Sequence, residues 1–176
     1  MKLSELALPG IPYRGDLLEV HANATPFAFS RILLKNKVLQ LAISSLSANE
    51  KEIKEHISGQ VESWLKAQAR RAFCEKVEQQ KKMHGFSYKA VSLKDTRSRW
   101  GSCSARGNLN FNWRLIMAPD GVLSYVVTHE TAHLSHMNHS REFWELVAQR
   151  CPDYLQMKNW LLVNGASLMN WKLTVR

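Results

Sequence analysis

Cysteine is scarce and scattered in this chain: only Cys74, Cys103 and Cys151 occur. An odd number at those separations is neither a disulfide framework nor a zinc-knuckle pattern, and it reads as reduced structural thiols. Long apolar runs are missing as well. No window approaches the roughly 18 uninterrupted apolar residues of a membrane span. The opening stretch "MKLSELALPGIPYRGD" holds no apolar core long enough for a signal peptide. Both absences make a cytoplasmic, membrane-free setting the expectation. Repeats and low-complexity segments are also lacking. Acidic residues are in the minority, with 15 Asp and Glu against 24 Lys and Arg, a net charge of +9. Such a balance suits nucleic acid, an anionic substrate or a membrane surface, or serves solubility alone. Much of it, however, sits in "KAQARRAFCEKVEQQKK", where interleaved glutamates point to a solvated helix face.

What is present is an ordinary globular composition, 45% hydrophobic over 176 residues, enough for one domain with a real core. Residues 1–26 read as irregular, punctuated by Pro9, Gly10, Pro12, Gly15 and Pro26. Two apolar runs flanking Lys35-Asn36-Lys37 predict a β-hairpin. Ser47 is a candidate cap for a helix in "ANEKEIKEHI", with Ser58-Gly59 expected to interrupt it. Val61, Trp64, Leu65, Ala69, Ala72, Phe73 and Val77 recur at helical spacing, and Gly85 stops that helix. A strand follows Ser87. In "NLNFNW" Leu109, Phe111 and Trp113 alternate with asparagines, so a second hairpin turns at Ala105-Arg106-Gly107. Pro119 opens a helix, Ser140 another, Cys151-Pro152 breaks it, and a last helix should end at Gly165. The class is α+β. An N-terminal hairpin and helical extension over 1–60 precedes a core over 61–176, the two forming one compact unit.

Chemistry concentrates in "THETAHLSHMNHSREFW", which carries four of the seven histidines. His129, Glu130 and His133 spell H-E-x-x-H. Residues four apart stand one turn above each other on a helix, so two imidazoles can reach one zinc ion at about 2.0–2.1 Å. Zinc lowers the pKa of a bound water to about 7, and Glu130 is placed to act as its general base. The helix suits the task, because Val122, Tyr125, Val126, His129, Ala132 and His133 share one largely apolar face. A catalytic zinc wants a third protein ligand and an open position. His136 and His139 are the near candidates. His136 would have to bend back along its own helix, whereas His139 follows Met137-Asn138, where the chain can turn, so spacing favours His139. Glu142 and Glu145 read as exposed helix charge.

"SRWGSCSARGNLNFNWRLIMAP" followed by "YVVTHETAHLSHMNHSREFW" resembles the YgjP-like family of zinc metallopeptidases, relatives of the WLM and SprT-like proteins. The resemblance runs from about Val61 to Val163 and more weakly into the N-terminal hairpin. It implies a gluzincin-like core with a small antiparallel-rich sheet packed on the H-E-x-x-H helix. It also implies zinc ligands at His129, His133 and His139, and Glu130 as catalytic acid and base. One departure is Thr131, where the family usually has a bulky apolar residue. The His133–His139 offset equals that of metzincins, but His136 replaces their glycine and no methionine turn is evident.

Function is therefore expected to be zinc-dependent hydrolysis, foremost of peptides. Members of the family have also been linked to nucleoside triphosphate pyrophosphatase activity. Arg97, Arg99, Arg106 and Arg114 lie in or beside the strands expected at the active helix, and arginine forks suit carboxylate or phosphate. Of these, Arg97 and Arg99 are the candidate substrate-binding pair. A third reading, a non-catalytic nucleic-acid binder, rests on charge and on the SprT-like kinship alone.

Overall fold

The computed structural model describes residues 8–25, 31–44 and 49–175. Two small sheets and four helices make an α+β molecule. The first sheet has the order β1-β2-β4-β3, from β1 (Ile11–Tyr13), β2 (Asp16–Thr25), β3 (Arg31–Lys35) and β4 (Val38–Ser44). Helix α1 (Glu50–His84) follows. The second sheet, β5-β7-β6, is built from β5 (Ala90–Lys94), β6 (Gly101–Cys103) and β7 (Asn108–Asn112). A 3-10 turn over Trp113–Met117 leads into α2 (Asp120–Ala132), α3 (Arg141–Arg150) and α4 (Tyr154–Met169). Among the described residues no helix is long and apolar enough to cross a membrane.

The N-terminal segment is more regular than its prolines and glycines suggest. Leu18, Val20 and Ala22 point inward from β2 while their neighbours are exposed. The small alanines weaken that alternation in the sequence. Arg14 and Gly15, at φ 50° and 83°, form a tight turn that lets β1 pair with β2. The same turn is tied down by two backbone bonds, Arg14 N–H to the Ile116 carbonyl and Gly15 N–H to that of Met117. The second hairpin is as expected: β3 and β4 pair antiparallel about Asn36 and Lys37, both at positive φ. β4 in turn pairs parallel with β2.

Helix α1 departs from expectation at its start and in its middle. Ser47 lies outside the described residues, and the cap is Asn49. Its side chain accepts from the Glu52 N–H, and the Glu52 carboxylate accepts from the Asn49 N–H, each at 3.0 Å, a complete capping box. The helix then passes through Ser58-Gly59 without a break. Ser58 Oγ donates to the Lys54 carbonyl one turn back, and Ile57 and Val61 are buried on either side. Tertiary packing there outweighs the weak propensity of the pair. The boundary expected between 60 and 61 therefore falls inside one helix, and a single hydrophobic cluster runs from Ile11 to Leu168. Gly85, at φ 70°, closes α1 by returning its N–H to the Lys81 carbonyl.

The second sheet and α2 hang on α1. Phe73 stacks on Phe111 of β7 with ring centres 4.5 Å apart. β7 is central in its sheet, antiparallel to β6 and parallel to β5. α4 runs past the expected stop at Gly165 to Met169. Gly165 is buried, and a Cβ there would sit 3.2 Å from the Trp100 ring, so the glycine serves close helix-to-ring approach and not a cap.

A continuous α1 makes one stability prediction. Gly59 is exposed in a helix interior, and a methyl group added there would have nothing within 4 Å. Gly59→Ala should stabilise the fold by about 0.5–1 kcal/mol in urea titration. A loss of stability would mean that the helix breaks there.

Candidate active site

Helix α2 is mostly buried, packed against α1, β6, α3 and α4. His129 and Glu130 lie in its last turn, and His133 is its C-terminal cap residue. Three backbone bonds then tighten the exit, Leu134 N–H to Thr131, Ser135 N–H to Ala132 and His136 N–H to Ala132. The chain reverses and enters α3, capped by the Ser140 side chain on the Phe143 N–H. His139 stands immediately before that cap. The reversal carries its ring back over α2.

Three imidazoles thus converge. Donor atoms of His129, His133 and His139 all lie within 4.8 Å of one another, and the ring centres are 4.7–5.0 Å apart. His139 Nε2 faces His129 Nε2 at 3.1 Å. Two nitrogens bound about 2.0–2.1 Å from one tetrahedral metal stand roughly 3.4 Å apart, so the pair fits a shared ion. His133 Nδ1 donates to the His136 carbonyl at 3.0 Å, which fixes its tautomer and turns Nε2 to the cluster. His136 meets the cluster through its backbone carbonyl, and the ring that joins His129 and His133 is that of His139.

Surroundings favour neutral, metal-ready rings. Burial, together with the neighbouring His133, His139 and Lys158, pushes His129 down to about 3. Burial also lowers His133, against the opposing pull of the His136 carbonyl. Phe143 stacks on His133, and Trp144 stacks on both His139 and Tyr154. His133 is buried, whereas His139 is exposed, so the cluster is closed behind and open in front.

Glu130 is only 5% exposed. Burial raises its carboxyl to about 7, and the charge of Arg99 works against that rise. Gly101 explains how β6 can lie so close. A Cβ there would come within 2.5 Å of Glu130 Oε1 and 2.7 Å of its Cγ. The glycine of R-W-G-S-C is thus a matter of space for Glu130. Neighbouring Cys103 has its thiol pushed up to about 11, first by burial and then by Glu130, and so stays protonated. On the opposite side Thr131, fully buried, donates to Gln80 Oε1 at 2.8 Å, and Gln80 Nε2 donates to Thr128 Oγ1 at 2.6 Å. The unusual threonine is a hydrogen-bonded tie to α1.

The four arginines separate. Arg114 is buried in an ion pair with Asp95, with its guanidinium 4.5 Å from the Trp113 ring, and so belongs to the fold. Arg106 is exposed in the β6–β7 turn, beside a different depression that includes Leu134. Arg97 and Arg99 are exposed on the segment before β6. Of these two, Arg97 lines a groove against α4.

A family model described as YgjP-like, metallopeptidase domain, matches residues 9–164. The chain belongs to the YgjP-like metallopeptidase family. The match takes in β1 and β2 as well as the histidine helix, so the N-terminal sheet is part of the family's domain. Comparison with curated proteins yields no match. Among solved structures, the metallopeptidase zymogen of Pyrococcus abyssi abylysin is 18% identical, with a TM-score of 0.48 over 52% of this chain and 93% of that one. Family membership implies a metal ion, and the three histidines could bind one.

Two features of this YgjP-like site escape a sequence reading. Gly101 carries no chemistry of its own, and only its position on a strand facing the helix gives it away. Lys158, 4.6 Å from the Trp144 ring, reaches the site from a distant helix.

The ligand set is testable by metal analysis after zinc loading and dialysis. Alanine at His129, His133 or His139 should abolish the stoichiometric metal, while His136→Ala should keep a full equivalent. The reverse pattern at 136 and 139 would overturn the assignment. Gly101→Ala should retain the metal yet destabilise the fold by about 1–3 kcal/mol, because Glu130 must move. An unchanged urea midpoint would contradict the close approach.

Proposed function

We propose that the chain is a zinc-dependent peptidase in which His129, His133 and His139 hold the ion and Glu130 moves the proton. The observation that carries this reading is the convergence of three imidazoles beside a buried carboxylate on the same helix turn. Bound zinc supplies a Lewis acid that polarises a carbonyl and brings water's acidity toward neutral pH. Nitrogen donors, two on one helix and one returning from a turn, suit zinc better than calcium or magnesium.

Glu130 takes the proton released as water attacks the peptide carbonyl, then delivers it to the departing amine. Its burial keeps bulk water from competing for that proton, and Gly101 leaves space for its side chain against β6. His133 is held in one tautomer by the His136 carbonyl. The exposed side at His139 leaves the substrate a way in. Arg99, whose charge is felt at Glu130, and Arg97, on the neighbouring groove, are the residues we assign to a substrate's polar groups.

Glu130→Gln should keep a full equivalent of zinc and lose peptide cleavage by about 10²–10⁴-fold, read on a proteome-derived peptide mixture by mass spectrometry. Undiminished cleavage would remove Glu130 from the mechanism. Release of pyrophosphate from nucleoside triphosphates by the parent, with no peptide cut, would move the reading to nucleotide hydrolysis at the same site.

A further inference from the structure

A groove of about 660 Å³ runs along α4 and ends at Tyr125, whose ring neighbours that of His129. One wall is a single face of α4, from Leu155 through Leu162 to Met169. At 1.5 Å per residue that wall is about 21 Å long. The other wall is Arg97, Ser98 and Trp100, with Tyr125 of α2 at the inner end. Tyr125 lies 6.0 Å from His129, ring to ring. Lys158, also on the groove, sits over Trp144, which stacks on His139. Two residues of the groove, Tyr125 and Lys158, thus connect it to the histidine cluster.

Its lining is of one chemical kind. Leu155 and Leu162 are 63% and 82% exposed, unusual for leucines on a helix that has apolar surface to bury. The charged lining residues are both cations, Arg97 and Lys158, and the lining includes no aspartate or glutamate. Neither cation is in an ion pair with a described residue. Gly165 lets the Trp100 ring of that second wall lie close against α4.

We propose that this groove takes an extended substrate segment of about six residues in which large apolar side chains neighbour acidic ones. The inference rests on the peptidase reading and gives it a substrate class. Length sets the number, since an extended peptide rises about 3.3 Å per residue and fills 21 Å with six. The leucines and Trp100 meet apolar side chains. Arg97 and Lys158 meet carboxylates, and Arg97 offers the fork that suits them.

Binding can be measured apart from cleavage. Zinc-loaded, full-length Glu130→Gln protein is titrated into two fluorescein-labelled hexapeptides, alternating leucine with glutamate or leucine with lysine, both blocked at their ends. The acidic peptide should bind at least about tenfold tighter. The Arg97→Glu/Lys158→Glu double variant should abolish or reverse that preference, and Leu162→Ser should weaken both peptides. Zinc content and thermal melting establish that each variant is folded. Equal affinities, or a preference that ignores the double variant, would overturn the proposal. So would loss of a self-associated species on Leu162→Ser, which would assign the face to a second copy of the chain. Parent enzyme that cuts peptides with no acidic or apolar bias near the scissile bond would sink the groove inference and leave the peptidase reading standing. Acidic-peptide binding without any cleavage by the parent would do the opposite.

Discussion

Everything at the site depends on the burial of α2. A helix that ends in ionisable groups is held among α1, β6, α3 and α4, and the protein interior takes water away from those groups. Desolvation is the largest cause of the shifts at both His129 and Glu130, one pushed down and the other up. Both shifts favour neutral forms. That state is unfavourable for water-loving side chains by themselves, and it persists because apolar contacts elsewhere on α2, at Val122, Val126 and Val127, hold the helix in place.

Polar ties make the placement specific. Gln80 bridges Thr128 and Thr131, fixing the rotation of α2 against α1 with three buried partners that satisfy one another. On the far side Gly101 sets how near the sheet can come. Between the glutamine and the glycine, α2 has little freedom to turn, and the direction of the Glu130 side chain follows. Asp95 and Arg114 do similar service below β7, where a nearly buried guanidinium lies over Trp113.

Local pattern makes the site legible in the sequence, and distance hides the remainder. H-E-x-x-H brings two histidines together by helix geometry, and Met137-Asn138 offers the reversal that brings in His139. The β3–β4 hairpin and the stop at Gly85 are likewise written in neighbouring residues. Misreadings arise where tertiary contacts outweigh local preference. Ser58-Gly59 continues a helix because Ile57 and Val61 are buried around it, and Gly165 continues another because Trp100 presses on it. Residues 11–25 form strands although prolines and glycines surround them, since the turn at Arg14-Gly15 is anchored to Ile116 and Met117, far along the chain. Arg114 looks like its three neighbours until its partner Asp95 is in view.

The length of α1 has a mechanical consequence. Thirty-five residues at 1.5 Å each make a beam of about 52 Å. One end is nailed to the N-terminal sheet and the other to α2 and the second sheet, with no joint between. The two sheets therefore form one chassis and cannot hinge about the region between them. Cleft width is then set on the opposite bank, by α4 and the aromatic stack of Trp144 and Tyr154 beneath it.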